Sequence, residues 1–230
     1  MRSGKTSCII PFWNEDLYLF DVLYEVSRVR NIDEVICVDD ASDNNNYLEI
    51  KRKHPGFCVI RLPENSGKTD AIREGLKYAD GEYILLLDAD LQHLVHTEIE
   101  QAVNAVKSNP GIDMLILRRV RADLLIRMYR GDVLFTGERI LRKSDLLNVL
   151  SGQVKRWQLE SAVNTWMYEK NKIVYWMAQS AINTDKAIKW GLFRGLVNDV
   201  RTFGDMMFAT GFNNFVRQIL FYAKDELKVN

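Results

Sequence analysis

The stretch that most constrains this chain is Tyr83 to His93, YILLLDADLQH. Tyr83 to Leu87 is apolar without a polar break, as expected of a central strand covered on both faces. It runs directly into Asp88, Ala89 and Asp90, with Gln92 and His93 just beyond. Two carboxylates one small residue apart repel each other unless a cation lies between them or solvent screens them. The sequence therefore allows two readings. One is a solvated turn, where Asp-x-Asp is common. The other is an oxygen-rich site for a hard divalent ion, magnesium or manganese, rather than zinc.

The preceding residues decide between them. Residues 7–11 (SCIIP) predict a first strand, followed by the loop Phe12, Trp13, Asn14, Glu15 and a helix over about 16–29. Leu19, Val22, Leu23 and Val26 give that helix its apolar stripe. A second strand over 35–38 ends in Asp39 and Asp40. A short helix (47–53), a third strand (57–62), the loop PENSGKTD and a helix (69–78) come next. The strand that ends in Asp88 is the fourth. A helix over 97–107 and a fifth strand over 114–117 complete the series. Strands alternating with helices at this spacing predict an α/β fold with a mostly parallel sheet. Ligands bind such sheets at the carboxyl ends of the strands. Glu15, Asp39, Asp40, Lys68, Asp88 and Asp90 all fall at those ends, so polar groups from separate strands converge on one edge. A set of unrelated turns does not predict that convergence, and a binding site does.

After residue 117 the pattern changes. RRVRADLLIRMYRGD is basic and mixed, and reads as a mobile or acceptor-facing segment. FTGERILRKSDLL follows, with a helix near 146–150, a helix over 159–170 that carries Glu160, and a strand over 172–177. Residues 184–227 read as amphipathic helices, with Trp190, Phe193, Val197, Val200, Phe203 and Met207 at helical spacing. Packing on the sheet or on a neighbouring copy is the commoner fate of such a face; contact with a membrane surface is the other. The organisation expected is one domain over 1–230, with a nucleotide-binding half (1–117), an acceptor half (118–183) and a helical extension (184–230).

Basic and acidic residues balance at 31 each, which argues against a bulk electrostatic nucleic-acid binder, though not against a local basic patch. Cys8, Cys37 and Cys58 each fall in an expected strand, too far apart for a zinc pair and odd in number, so buried thiols in a reducing compartment are expected. The start MRSGKTS leads straight into a strand without the pattern of a secretory signal, and the apolar stretch near 173–182 is too short to span a bilayer. A cytoplasmic protein, at most peripheral on the inner face of a membrane, is the expectation.

IIPFWNE, VICVDDASD and ENSGKTDAIREGLKYADGEYILLLDADLQH stand in the order found in glycosyltransferase family 2, and the chain resembles that family over roughly its first 95 residues. DADLQH is similar to the dolichyl- and polyprenyl-phosphate sugar transferases. GERILRKSDLL with Glu160 resembles the acceptor half more loosely. The resemblance implies a GT-A fold and a metal-dependent hexosyltransferase using a nucleotide sugar, UDP- or GDP-linked. Pro11, Phe12 and Glu15 would line the nucleoside pocket, and Asp39 with Asp40 would contact base or ribose. Lys68 would lie near the sugar nucleotide. Asp88 would touch ribose or metal, Asp90 would hold Mn2+ or Mg2+, and Gln92 matches a further metal ligand. Arg118, Arg119 or Arg121, with Arg139 or Arg142, would bind an acceptor phosphate, a polyprenyl phosphate being the first candidate.

An anionic acceptor needs no general base, whereas a hydroxyl acceptor in an inverting enzyme usually does. Glu160, Glu138 and Asp132 are the candidates, Glu160 first, with a helix-capping role as its ordinary alternative. Many relatives supply a histidine metal ligand from the C-terminal part. Here the histidines are His54, His93 and His96, and Asn183 falls near the corresponding place. Transfer to a soluble hydroxyl acceptor and a binding-only relative are the competing functions. A phosphate loop at SGKT is excluded, because the position five before Gly67 is Leu62 rather than glycine. A receiver domain would not explain DADLQH, and a nucleotidyltransferase would want a glycine-rich loop where FWNE stands.

Overall fold

The computed structural model describes residues 4–119, 131–152, 154, 159–183, 217 and 222–228. In chain order its elements are β1 (Thr6–Phe12), α1 (Leu19–Ser27), β2 (Glu34–Asp39), α2 (Asn46–Lys53), β3 (Cys58–Arg61), α3 (Lys68–Gly75), β4 (Tyr83–Leu86), β5 (Leu91–Gln92), α4 (His96–Ser108), β6 (Met114–Arg119), α5 (Gly131–Leu134), β7 (Arg139–Arg142), α6 (Lys143–Leu150), α7 (Leu159–Glu169), β8 (Val174–Gln179) and β9 (Ile182–Asn183). Seven strands form one sheet in the order β3-β2-β1-β4-β7-β6-β8. β1, β2, β3 and β4 are mutually parallel, as are β6 and β8. β7 is the exception and runs antiparallel to both β4 and β6.

Alternate residues of each strand feed two cores. Cys8, Ile10, Leu85, Leu87, Leu115 and Ile140 face the side covered by α1 and α4. Ile9, Ile84, Leu86, Ile116 and Leu141 face the side covered by α3, α6 and α7. This period of two, with both faces buried, is why the strands read as continuous apolar runs. Each fully buried Leu, Ile or Val contributes about 1.5–3 kcal/mol, so the sheet is a rigid frame for what projects from its edge.

The parallel series appears where the sequence places it, with ends shifted by a few residues. β7 was not anticipated, because RILR is short and flanked by charge. It carries a segment of the second half into the centre of the sheet, between β4 and β6. β8 begins two residues later than expected. Residues 120–130 of the basic segment, Arg121 included, and the expected helices over 184–216 lie outside the described residues. Residues 222–228, expected to be helical, instead lie against the β8 edge. Glu226 forms a parallel bridge with Trp176, and the Leu227 amide donates to the Trp176 carbonyl at 2.8 Å. Cys8 and Cys37 are buried and Cys58 is half-buried; all three are free thiols.

Candidate active site

The site forms where β1, β2, β4 and β6 end and β7 begins. Because β7 runs backwards, Arg139 pairs with Leu86 at the carboxyl end of β4, while Arg142 pairs with Tyr83 at the opposite end. Of the two β7 arginines among those considered for an acceptor phosphate, Arg142 is thus on the opposite edge of the sheet. There it donates to Glu82 at 2.8 Å and to the Pro110 carbonyl at 2.5 Å.

Lys68 is the hub. It opens α3, immediately after Gly67, whose φ of 93° is open to glycine and costly for other residues. Asp40 fixes this turn, its two carboxylate oxygens accepting from the amides of Ser66 at 2.8 Å and Gly67 at 2.7 Å. Lys68 Nζ then lies 2.6 Å from Asp88 Oδ1 and 2.8 Å from Glu160 Oε1. Burial would lower the lysine pKa, but the two carboxylates outweigh it and hold the ammonium above its ordinary range. Burial likewise pulls Asp88 up, and Lys68, Arg119 and Arg139 together pull it below the usual carboxylate range. Asp88 is therefore an anion at neutral pH.

Gly137 completes this cradle. A Cβ there would meet Lys68 Nζ at 2.6 Å and the Asp88 oxygens at 2.7 and 2.8 Å. Only a glycine lets the turn before β7 approach the lysine–aspartate pair so closely. Sequence reasoning gave Gly137 no role. The signal was present in TGER, a glycine just ahead of a strand, but its neighbours came from parts of the chain far away.

The arginines are not a free positive cluster. Arg118 Nε donates to Asp132 at 2.5 Å and its guanidinium lies 4.6 Å from the Trp176 ring centre. Arg119 Nε is 3.8 Å from Glu138 Oε2. Arg139, only 1% exposed, donates to Asn164 Oδ1 at 3.1 Å and to the Thr136 carbonyl. Asp132 and Glu138, considered as general bases, are fully buried partners of these arginines. Burial pushes the Glu138 carboxyl up, with Arg119 opposing and Asp88 adding to the rise. Glu160, the third candidate, is 5% exposed and anchored to Lys68.

At the β1 and β2 ends, Phe12 is 4% exposed and belongs to the core, whereas Trp13, which received no role, is 48% exposed. The exposed aromatic at this strand end is thus Trp13. Pro11 is buried in β1, and Glu15 is buried, its carbonyl accepting from Asn46 at 2.7 Å. Asp39 Oδ1 accepts from the Ser42 amide at 2.9 Å. Its Oδ2 is buried without a hydrogen bond to a described residue, with Arg61 Nε 3.5 Å away. The β1 and β2 turns are clasped together, Asn14 and Asp43 exchanging hydrogen bonds at 3.1 and 2.7 Å. Asn14 and Ala41 take left-handed φ values of 48° and 58°, a local strain of about 1 kcal/mol or more each.

Asp88, Asp90 and Gln92 are the residues that could hold a divalent ion. All three offer oxygen, and Asp88 is held ionised. Among the described residues no group of three or more His, Cys, Asp or Glu forms a metal cage. That fits an ion such as Mg2+, which usually takes one or two protein carboxylates and completes its shell with water and a ligand's phosphates. β5 pairs with β9, setting Asn183 opposite Leu91 and Ile182 opposite Gln92, so the backbone of Asn183 runs beside this turn. His96 opens α4 and its Nδ1 lies 2.9 Å from Glu25 Oε2, and His93 has a positive φ of 55°.

This arrangement has the GT-A fold of nucleotide-sugar transferases. Glucosyl-3-phosphoglycerate synthase from Mycobacterium tuberculosis, solved with Mn2+, UDP and phosphoglyceric acid, superposes with a TM-score of 0.72 at 16% identity, over 90% of this chain and 79% of that one. The family model for glycosyl transferase family 2 matches residues 7–153, and the chain belongs to that family. Relatives include an undecaprenyl-phosphate 4-deoxy-4-formamido-L-arabinose transferase of Serratia proteamaculans, 35% identical over 97 residues, covering 39% of this chain and 30% of that protein. A dolichol-phosphate mannosyltransferase of Pyrococcus furiosus is 31% identical over 113 residues, 47% of this chain and 32% of that protein. A minor teichoic acid biosynthesis protein of Bacillus subtilis, GgaB, is 33% identical over 90 residues, 36% of this chain and 10% of that protein. The matches thus span about a third or less of these relatives' lengths.

Proposed function

We propose that this chain transfers a sugar from a nucleotide-diphosphate donor to a phosphate-bearing acceptor, with a polyprenyl phosphate as the first candidate. The observation that carries the acceptor side is that every carboxylate considered as a general base is committed to a cation: Asp132 to Arg118, Glu138 to Arg119 and Glu160 to Lys68. A phosphate acceptor is already anionic near neutral pH and needs no base. The names of the undecaprenyl- and dolichol-phosphate relatives support the same reading.

On the donor side, the exposed Trp13 offers a ring to the base, and Asp39, whose Oδ2 makes no hydrogen bond to a described residue and pairs with Arg61 at 3.5 Å, would accept from a base or ribose once that pair opens. Lys68 meets the diphosphate with a fixed positive charge. Asp88, Asp90 and Gln92 would hold Mn2+ or Mg2+, which when bound neutralises the departing diphosphate. The anomeric carbon develops positive charge as the bond to the leaving group stretches, and the anions Asp88 and Glu160 favour that charge nearby. Arg119, 3.8 Å from Glu138, would meet an acceptor phosphate, and Arg139 holds the β7 turn through Asn164 and Thr136. The lipid version places the chain in the cytoplasm at the inner face of a membrane. No helix among the described residues is long and apolar enough to cross one.

The test is product analysis with labelled donors offered a short polyprenyl phosphate or soluble hydroxyl acceptors. Sugar on the phosphate is expected. Sugar only on a hydroxyl, with the rate lost in Glu160→Gln, would replace this acceptor with the alternative.

A further inference from the structure

Lys68 occupies an unusual position for a residue that only attracts a donor. Its ammonium is 2.6 Å from Asp88, a carboxylate proposed to hold the divalent ion, and 2.8 Å from Glu160. Gly137 lies on the third side, where an added Cβ would push against the ends of the Lys68 and Asp88 side chains. The lysine is therefore built into the place where a cation is needed, with a second anion already in reach.

We infer that Lys68 is a resident counter-ion of the metal site, which yields Asp88 to the divalent ion and is retained by Glu160 when metal and nucleotide enter together. This rests on the reading of Asp88 as a metal ligand. The ammonium sits on Asp88 Oδ1, and a divalent ion on the same carboxylate is repelled by it, so an ion approaching Asp88 competes with the ammonium. Glu160 receives it, and its charge remains balanced. A nucleotide diphosphate lowers the cost further, because its phosphates offer the displaced lysine and the metal a shared anion. Metal binding is then weak alone and strong with nucleotide, a coupling that prevents the site from trapping a metal in the absence of donor. By linkage the metal strengthens nucleotide binding by the same factor.

The experiment is Mn2+ titration of the full chain, followed by calorimetry and by the electron paramagnetic resonance of free Mn2+. It is done alone and with UDP or GDP, on wild type, Lys68→Met and Glu160→Gln. Lys68→Met is expected to bind Mn2+ alone about tenfold tighter or more, because the competing charge is gone, and to lose most of the coupling to nucleotide. Glu160→Gln is expected to bind Mn2+ several-fold more weakly, because the displaced lysine loses its second partner. A purely structural role predicts weaker binding in both. Unchanged or weaker Mn2+ binding in a folded Lys68→Met would overturn the inference; if Lys68→Met unfolds, Lys68→Gln, which removes the charge but keeps a hydrogen-bonding end, is read in its place by the same criterion. No Mn2+ binding by wild type under any condition would instead overturn the proposed function, and this inference with it.

Discussion

Gly137 is the residue whose replacement most sharply tests the site's geometry. Its substitution by alanine places a methyl against the ends of the Lys68 and Asp88 side chains, which must shift to admit it. Overpacking of this kind costs about 1–3 kcal/mol, and a displacement of about 1 Å in a catalytic group can cost about a hundredfold in rate. Gly137→Ala is expected to remain folded by circular dichroism and to lose about a hundredfold in nucleotide release. A wild-type rate would show that the close approach at this turn has no bearing on the chemistry. A second single-residue prediction concerns Glu25, outside the site. Burial raises its carboxyl, but the His96 backbone and ring, with Arg28, bring it below the ordinary value. A folded-state pKa below the unfolded value of about 4.3 contributes stability above that pH, lost as pH falls through the folded value. Glu25→Gln should therefore be less stable than wild type by about 1 kcal/mol at pH 7, with the gap closing below about pH 4 in urea denaturation. A gap independent of pH would assign the effect to packing instead.

At the scale of elements, two short segments build the site, and they differed in legibility. The loop ahead of α3 was readable, because NSGKT announces a turn and a helix start, and Lys68 was singled out. Asp40 was also singled out, but as a ligand contact. In the structure both its oxygens hold the Ser66 and Gly67 amides, so its first task is to aim α3. Asp40→Ala leaves those amides without their acceptor and should cost about 2 kcal/mol in stability while weakening donor binding several-fold, measured by thermal unfolding and by titration with UDP or GDP. Unchanged stability would mean that the turn is held by other bonds. β7 was not readable. Its four residues are bounded by arginines, and its place is fixed by pairing with β4 and β6, which are far away in sequence. A strand whose stability comes from its neighbours leaves a weak local pattern. That one omission hid Gly137, misjudged Arg142 and made the arginines look unpaired, since Thr136, Glu138 and Arg139 all depend on where β7 lies.

For the molecule as a whole, the parallel series and the convergence of Glu15, Asp39, Asp40, Lys68, Asp88 and Asp90 on one edge followed from strand periodicity, since both faces of each strand are buried. The second half followed less well, because its charged residues neutralise one another only in three dimensions. Asp132 and Glu138 look like bases in sequence and are arginine partners in the fold. The segment at 222–228 reads as the end of a helix, yet lies along the β8 edge through Trp176, which also stacks on Arg118. The proposed function makes the Asp88–Asp90 turn a metal-dependent site for a nucleotide sugar. The most direct measurement is nucleotide release from UDP-, GDP-, dTDP- and CMP-linked sugars with Mn2+ or Mg2+, with acceptor present, comparing wild type with Asp90→Asn. Release from one donor, abolished by chelation and reduced at least about a hundredfold in Asp90→Asn, is the predicted result. Equal release by the folded variant, or release that persists without any divalent ion, would contradict it.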